Sequence, residues 1–183
     1  MNANWTQHTP TETRPINHIE PVPQAMRLAM SAFPTGVVLL AAEVDGTPVG
    51  MLANSFTSVS LDPPLVSVNI ARASSTWPVL SRARQWGISV LAEDQEAAFR
   101  QLSGRATERL SGLDWTSRAD GSLILDGASA TFIVSFEAQF DAGDHVIVLM
   151  RVHGLQRSPD RAPIVFYGSR TARLATPDDA SQS

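Results

Sequence analysis

Two segments rich in hydroxyls and amides carry most of the chemistry available to this 183-residue chain. The first runs from Asn54 to Ser60 and holds Asn54, Ser55, Thr57, Ser58 and Ser60 between apolar stretches. The second is Ser74-Ser75-Thr76, directly ahead of Trp77-Pro78. Uncharged polar groups of this kind suit a neutral planar or phosphate-bearing ligand, and suit a metal or a nucleic-acid backbone poorly. A helix start adds free N–H groups and a positive dipole end, which favour a phosphate. The same residues serve equally as a helix cap and strand-edge hydroxyls, so spacing leaves both readings open. Arg72 and Arg105 could supply counter-charge.

Titratable candidates are few. His8 and His18 lie in a proline-rich N-terminal stretch, while His145 and His153 fall on one expected strand. Even spacing puts those two on one face, but about 26 Å apart, too far to share a metal. A lone strand histidine is ordinarily structural. No GxGxxG, GxxxxGK or GxSxG occurs, and the carboxylates form no recognisable pair. With no cysteine, disulfides, thiolate catalysis and Cys-ligated metals are excluded. The chain offers binding groups without an acid–base engine.

These residues need a frame. Composition is that of a single globular domain, 43% hydrophobic and 17% charged, with a net charge of −4 that disfavours nucleic acid as a partner. The first residues lack the basic and apolar regions of a signal peptide, so a cytoplasmic protein is expected. Residues 1–23 read as a flexible arm, 24–174 as the folded domain and 175–183 as a disordered tail. A helix is expected over Gln24 to Phe33, stopped by Pro34. Val37 to Ala42 is a solid apolar run, and Asp45-Gly46 signals a hairpin. Further strands are expected at Leu65–Ile70, Trp86–Ala92, Ala128–Phe140, His145–Leu155 and Ile164–Tyr167.

Short helices should follow Thr76, running to about Arg84, and Asp94, ending near Leu102 with Ala98 and Phe99 on its inner face. Residues 104–121 read as a loop with a helical turn near Glu108. In the strand from Ala128, simple alternation would put Phe132, Val134, Phe136, Ala138 and Phe140 on one face. Turn-connected strands with few helices predict a mainly β fold, an antiparallel barrel with helices over one mouth.

Several stretches together resemble the short-chain flavin reductases, the reductase components of two-component flavin-dependent monooxygenases. They are FPTGVVLL, then DGTPVGMLANSFTSVSLDPPLVSVNIARASSTWPVL, GISVLAEDQ, Leu102-Ser103-Gly104-Arg105, LDGA and GDHVIVLMRV. The resemblance covers about residues 25 to 174. It implies an FMN-binding split barrel, a homodimer, NADH- or NADPH-dependent reduction of FMN or FAD, and delivery of reduced flavin to a separate monooxygenase. By position it implies that Thr35 and Met51, Leu52, Ala53, Asn54 and Ser55 line the flavin ring and ribityl start. Ile70 and Ala71 would meet the ring edge, and Ser74, Ser75, Thr76 and Arg105 the phosphate. His145 would face the nicotinamide. Three positions depart from the family pattern: Leu52 stands where Thr is common, and Gly168 and Thr171 replace a basic and an aromatic residue. Two competing readings are a non-catalytic flavin- or haem-binding barrel and an oxidase related to the pyridoxamine-phosphate oxidases. The latter needs a basic substrate pocket, against which the 14 Lys and Arg residues weigh.

Overall fold

A computed structural model describes residues 19–105 and 108–174. The tail at 175–183 and most of the N-terminal arm lie outside the described residues, as do His8 and His18. The described chain is an antiparallel split β-barrel. Its strands are β1 (Val38–Val44), β2 (Thr47–Ala53), β3 (Thr57–Leu61), β4 (Pro64–Ala71), β5 (Gln85–Val90), β6 (Trp115–Ser117), β7 (Leu123–Leu125), β8 (Ala130–Ala142), β9 (His145–Arg157), β10 (Val165–Tyr167) and β11 (Arg170–Ala172). Helices α1 (Pro23–Met30), α2 (Trp77–Leu80) and α3 (Glu96–Leu102) are short. None is long and apolar enough to cross a membrane. The main sheet has the order β2-β1-β5-β8-β9-β4-β3, while β6-β7 and β10-β11 form separate hairpins. At the split, β2 packs against β4 without joining its ladder.

The solid apolar run has a direct cause, because β1 is buried on both faces. Val38, Leu40 and Ala42 enter the barrel core with Val68, Ile70, Trp86, Ile88, Val148 and Met150. Val37, Leu39 and Ala41 pack the other way, on Leu91, Leu102, Leu123, Leu125 and Ile164. A strand covered on both sides shows no alternation. Each fully buried leucine contributes about 1.5–3 kcal/mol. The Asp45-Gly46 turn has φ of 51° and 74°, the left-handed pair a two-residue hairpin favours.

The outer core depends on a close approach at Gly87. A Cβ there would lie 2.0 Å from the Leu123 carbonyl oxygen, so only glycine lets β7 settle on β5. The Leu125 N–H then donates to the buried Ser89 hydroxyl at 2.9 Å. This hairpin lies within and beyond the stretch read as loop; residues 108–112 form hydrogen-bonded turns rather than a helix. Strand β11 was also unforeseen, its turn being made by Gly168 and Ser169 at φ 58° and 61°.

Other expectations need correction. The helix after Thr76 ends at Leu80, not near Arg84, where the Trp86 indole N–H takes the Leu80 carbonyl at 2.8 Å. Asp94 does not cap α3. It accepts from Arg161 Nη1 at 2.9 Å, and Gln95 Oε1 receives the Ala92 N–H instead, at 3.0 Å. In β8 the register slips between Phe136 and Ala138, so Ala138 pairs with Leu149 and Phe140 with Ile147. These two therefore leave the face carrying Phe132, Val134 and Phe136, since one bulged residue reverses alternation. A second slip at Ile133/Val134 leaves His153 without a partner in the ladder, yet its Nε2 meets Ser135 Oγ at 2.7 Å, and Ser135 pairs with Arg151, so His153 stays on the face that carries His145.

Gly87→Ala is expected to lower unfolding free energy by about 2–4 kcal/mol, because backbone must move to admit the methyl. Urea unfolding followed by tryptophan fluorescence measures it. A loss under about 1 kcal/mol would show that β7 is free to shift.

Candidate functional site

The polar crook is where β2 leaves its ladder and the chain crosses to β3. Its shape depends on one side chain. Ser55 Oγ accepts from the Asn69 N–H at 3.0 Å and donates to the Asn69 carbonyl at 3.1 Å. A hydroxyl thus replaces a missing strand neighbour and ties the crook to β4. Ser55 is accordingly a bracket as well as a lining residue.

Beside this bracket lies a cavity of ≈ 430 Å³. Met51, Leu52, Ala53, Asn54 and Ser55 line it from one side, and Ile70, Ala71, Ser74, Ser75 and Thr76 from the other. Segments some twenty residues apart in sequence therefore meet around a single space. Asn69, Ala73, Leu102, Ser103 and Arg109 complete the lining; the sequence did not single these out as site residues, although Leu102 and Ser103 belong to the Leu102-Ser103-Gly104-Arg105 motif. Asn69 and Ala73 only extend motifs already noted. Arg109 had no signal beyond its charge.

The arginine in the lining of this cavity is Arg109. Arg105 is exposed and does not line the cavity. Arg109 is half-buried, donates from Nε to the Gly104 carbonyl at 2.9 Å, and reaches Thr76 Oγ1 from Nη1 at 3.3 Å. Among the described residues it has no carboxylate partner. Ser74 Oγ meanwhile accepts the Trp77 N–H at 3.2 Å, so the capping reading also holds for that residue. Arg72 turns away, forming an ion pair with Asp141 at 2.5 Å and donating to the Gly143 carbonyl at 3.0 Å.

At the rim, His145 pairs across the sheet with Ala71, one of the lining residues. Its Nδ1 meets Asp144 Oδ1 at 2.7 Å. That hydrogen bond, and then the histidine's charge, hold the Asp144 carboxyl below its ordinary range. A lowered carboxyl pKa means that the carboxylate's share of this contact is present above the ordinary carboxylate range and is lost as pH falls through it.

A second, apolar cavity of ≈ 220 Å³ shares Leu52, Ala53, Asn54 and Ser103 with the first, adding Val37, Phe99 and Phe166. Phe99 and Phe166 have ring centroids 6.0 Å apart. Thr35 is not in either lining. Its backbone pairs with Phe166, at 3.0 and 2.8 Å, and its buried Oγ1 has no hydrogen-bond partner. Of the departures, Leu52 stands in the wall between the two cavities. Thr171 donates to Glu96 Oε1 at 3.2 Å, and Gly168 occupies the left-handed hairpin turn.

An antiparallel split barrel with a hydroxyl-lined, nearly uncharged slot defines a class, and comparison with known proteins assigns it. Residues 30–175 match the flavin reductase like domain. A flavin reductase of Pseudomonas putida is 35% identical over 79% of this chain and 86% of its own length. The FMN reductase (NADH) SmoA of Agrobacterium fabrum is 38% identical over 83% and 86%. Among solved structures, the Streptomyces globisporus NADH:FAD oxidoreductase SgcE6, in complex with NAD and FAD fragments, superposes with a TM-score of 0.82 at 32% identity, covering 89% of this chain and 99% of that one. The chain belongs to the flavin reductase-like family and is an oxidoreductase of that class.

Ser55→Ala should cost about 1 kcal/mol of stability through the two lost hydrogen bonds. It should also speed hydrogen exchange at the Asn69 amide. Unchanged protection at Asn69 would show that the bracket does not hold the crook.

Proposed function

We propose that this protein is an NAD(P)H:flavin oxidoreductase that reduces FMN or FAD and passes the reduced flavin to a separate monooxygenase. The observation that carries the reading is the single cavity joining Met51–Ser55 to Ile70–Thr76. Its size lies within the range of small-molecule sites. Its chemistry also fits: apolar and backbone-rich walls for a ring, hydroxyls for a ribityl chain, and a half-buried guanidinium without a carboxylate for a phosphate. The flavin, when bound, supplies the ring that accepts hydride from a nicotinamide.

The protein's share is placement. Leu52, Ala53 and Asn54 form one wall, and the Ser55 bracket fixes that wall against β4. Ile70 is rigid because it belongs to the barrel core. Rigid walls reduce the entropy lost when two planar rings are brought into reacting contact. Arg109 is the counter-charge for the phosphate, in place of Arg105. His145 orients the nicotinamide at the rim, its imidazole steered by Asp144. No lining side chain has to move a proton, which accounts for the scarcity of titratable groups.

A homodimer is part of the proposal. No residue of α1 is buried; Met26 and Met30, with Phe33 just beyond the helix, are exposed at helical spacing on one side, while Leu28 is exposed on another. A second copy is the occupant proposed for this apolar face. Sedimentation velocity should give twice the chain mass at micromolar concentration, and a strictly monomeric boundary would remove this element.

Purified protein should consume NADH or NADPH in air when FMN or FAD is supplied. Absence of turnover with every combination would refute the oxidoreductase reading. In the same assay His145→Ala should raise the nicotinamide KM by about tenfold, the scale of one lost hydrogen bond to a charged or polar ligand group, with flavin KM nearly constant. An unaltered nicotinamide KM would leave His145 a rim residue without a role in binding.

A further inference from the structure

Arg109 stands on a loop, and a loop does not aim a guanidinium by itself. One side chain organises this one. Gln101, half-buried near the end of α3, directs its Nε2 to the carbonyls of Ser111, Arg109 and Glu108 at 2.6, 3.2 and 3.3 Å. A carboxamide nitrogen carries two N–H groups, so one is shared between the two longer contacts. Three convergent carbonyls also determine the amide's orientation, because an oxygen there would face only acceptors.

The backbone of Gln101 completes a circuit. Its carbonyl accepts the Gly104 N–H at 2.9 Å, and the Gly104 carbonyl in turn accepts from Arg109 Nε at 2.9 Å. Gln101 therefore holds Arg109 at both ends: the main chain through its side chain, and the guanidinium through one intervening residue. The guanidinium is left spanning from Gly104 to Thr76, on the lining of the larger cavity. Of its five N–H groups, two are engaged by protein among the described residues.

From this geometry we infer that Gln101 is a positioning residue for the anionic end of the ligand: its carbonyl clamp aims Arg109 at the phosphate and so favours phosphorylated flavins over riboflavin. The inference rests on the flavin-reductase reading given above. Leu102 and Ser103 already line the cavity from the same helix end. Loss of the clamp frees the loop, and a mobile guanidinium contributes less to binding than a preorganised one.

FMN and riboflavin share one ring system and differ by the phosphate, so their KM ratio isolates this effect. Gln101→Met removes the donors while keeping a side chain of similar length. It should raise the ratio of the FMN KM to the riboflavin KM by about tenfold relative to wild type. Arg109→Gln should raise it at least as far. The double variant should go no further than Arg109→Gln, as expected for residues acting in one chain of contacts. Should Gln101→Met fail to fold, Gln101→Glu loses the same donors and carries the same expectation. A ratio within twofold of wild type, or equal losses with both flavins, would overturn the inference, as would full multiplicativity in the double variant. If wild type turns over neither flavin, the oxidoreductase reading falls instead, so the two failures are distinguishable.

Discussion

Two-sided burial of β1 is the constraint on which the molecule turns. Alternate residues of one short segment serve two cores, so the barrel and its outer layer cannot be packed independently. The outer layer brings α3 and the β6–β7 hairpin against the sheet, and α3 ends where the ligand cavity begins. Val37 and Leu102 belong to that outer core and also line the two cavities. Ile70 belongs to the inner core and lines the larger one. Part of the cavity wall is therefore core, and there packing supplies the rigidity that the Ser55 bracket and the Gln101 clamp supply elsewhere.

Irregularities in the sheet fall where pairing must change. Bulges lie between Ser58 and Ser60, at Glu137, and opposite Ile133/Val134, around the long β8–β9 ribbon and the edge strand β3. At Glu137 the bulge turns a carboxylate toward Arg151, which grips it through Nε and Nη2 at 2.8 and 2.7 Å. The hydrogen bonds from Arg151 hold the Glu137 carboxyl below its ordinary range. On an exposed face such a pair adds little stability. What it does add is register, since two forked contacts are satisfied in only one alignment of the strands.

The near-absence of charge in the cavity fits the reaction proposed for it. Hydride transfer between stacked rings asks for alignment and exclusion of competing geometries, with the cofactor supplying the organic chemistry. Arg109 is the one charged residue among the described residues of the lining, and the Asp144–His145 pair lies outside it, across the sheet from Ala71. Among the described residues the half-buried guanidinium of Arg109 has no carboxylate beside it, an arrangement that would favour an anionic ligand group.

Much of this was legible in the sequence because it is local. The Asp45-Gly46 turn, the apolar run of β1, and the segments Met51–Ser55 and Ser74–Thr76 report short-range geometry: left-handed dihedrals, strand periodicity, helix starts. Whatever depends on strand pairing was not legible. Alternation from Phe132 to Phe140 failed at a bulge that no residue type announces. Strand β7 was unread because its stability comes from a glycine on another strand and a serine hydroxyl thirty-six positions back. Arg105 has the right charge near the right motif, yet the turn through Gly104 exposes it and directs Arg109 inward. Residue types and local spacing thus determined which ligand chemistry this chain could hold. Tertiary structure decided which side chains face the ligand, because facing is set by register, bulges and loop clamps, whose energies come from partners distant in sequence.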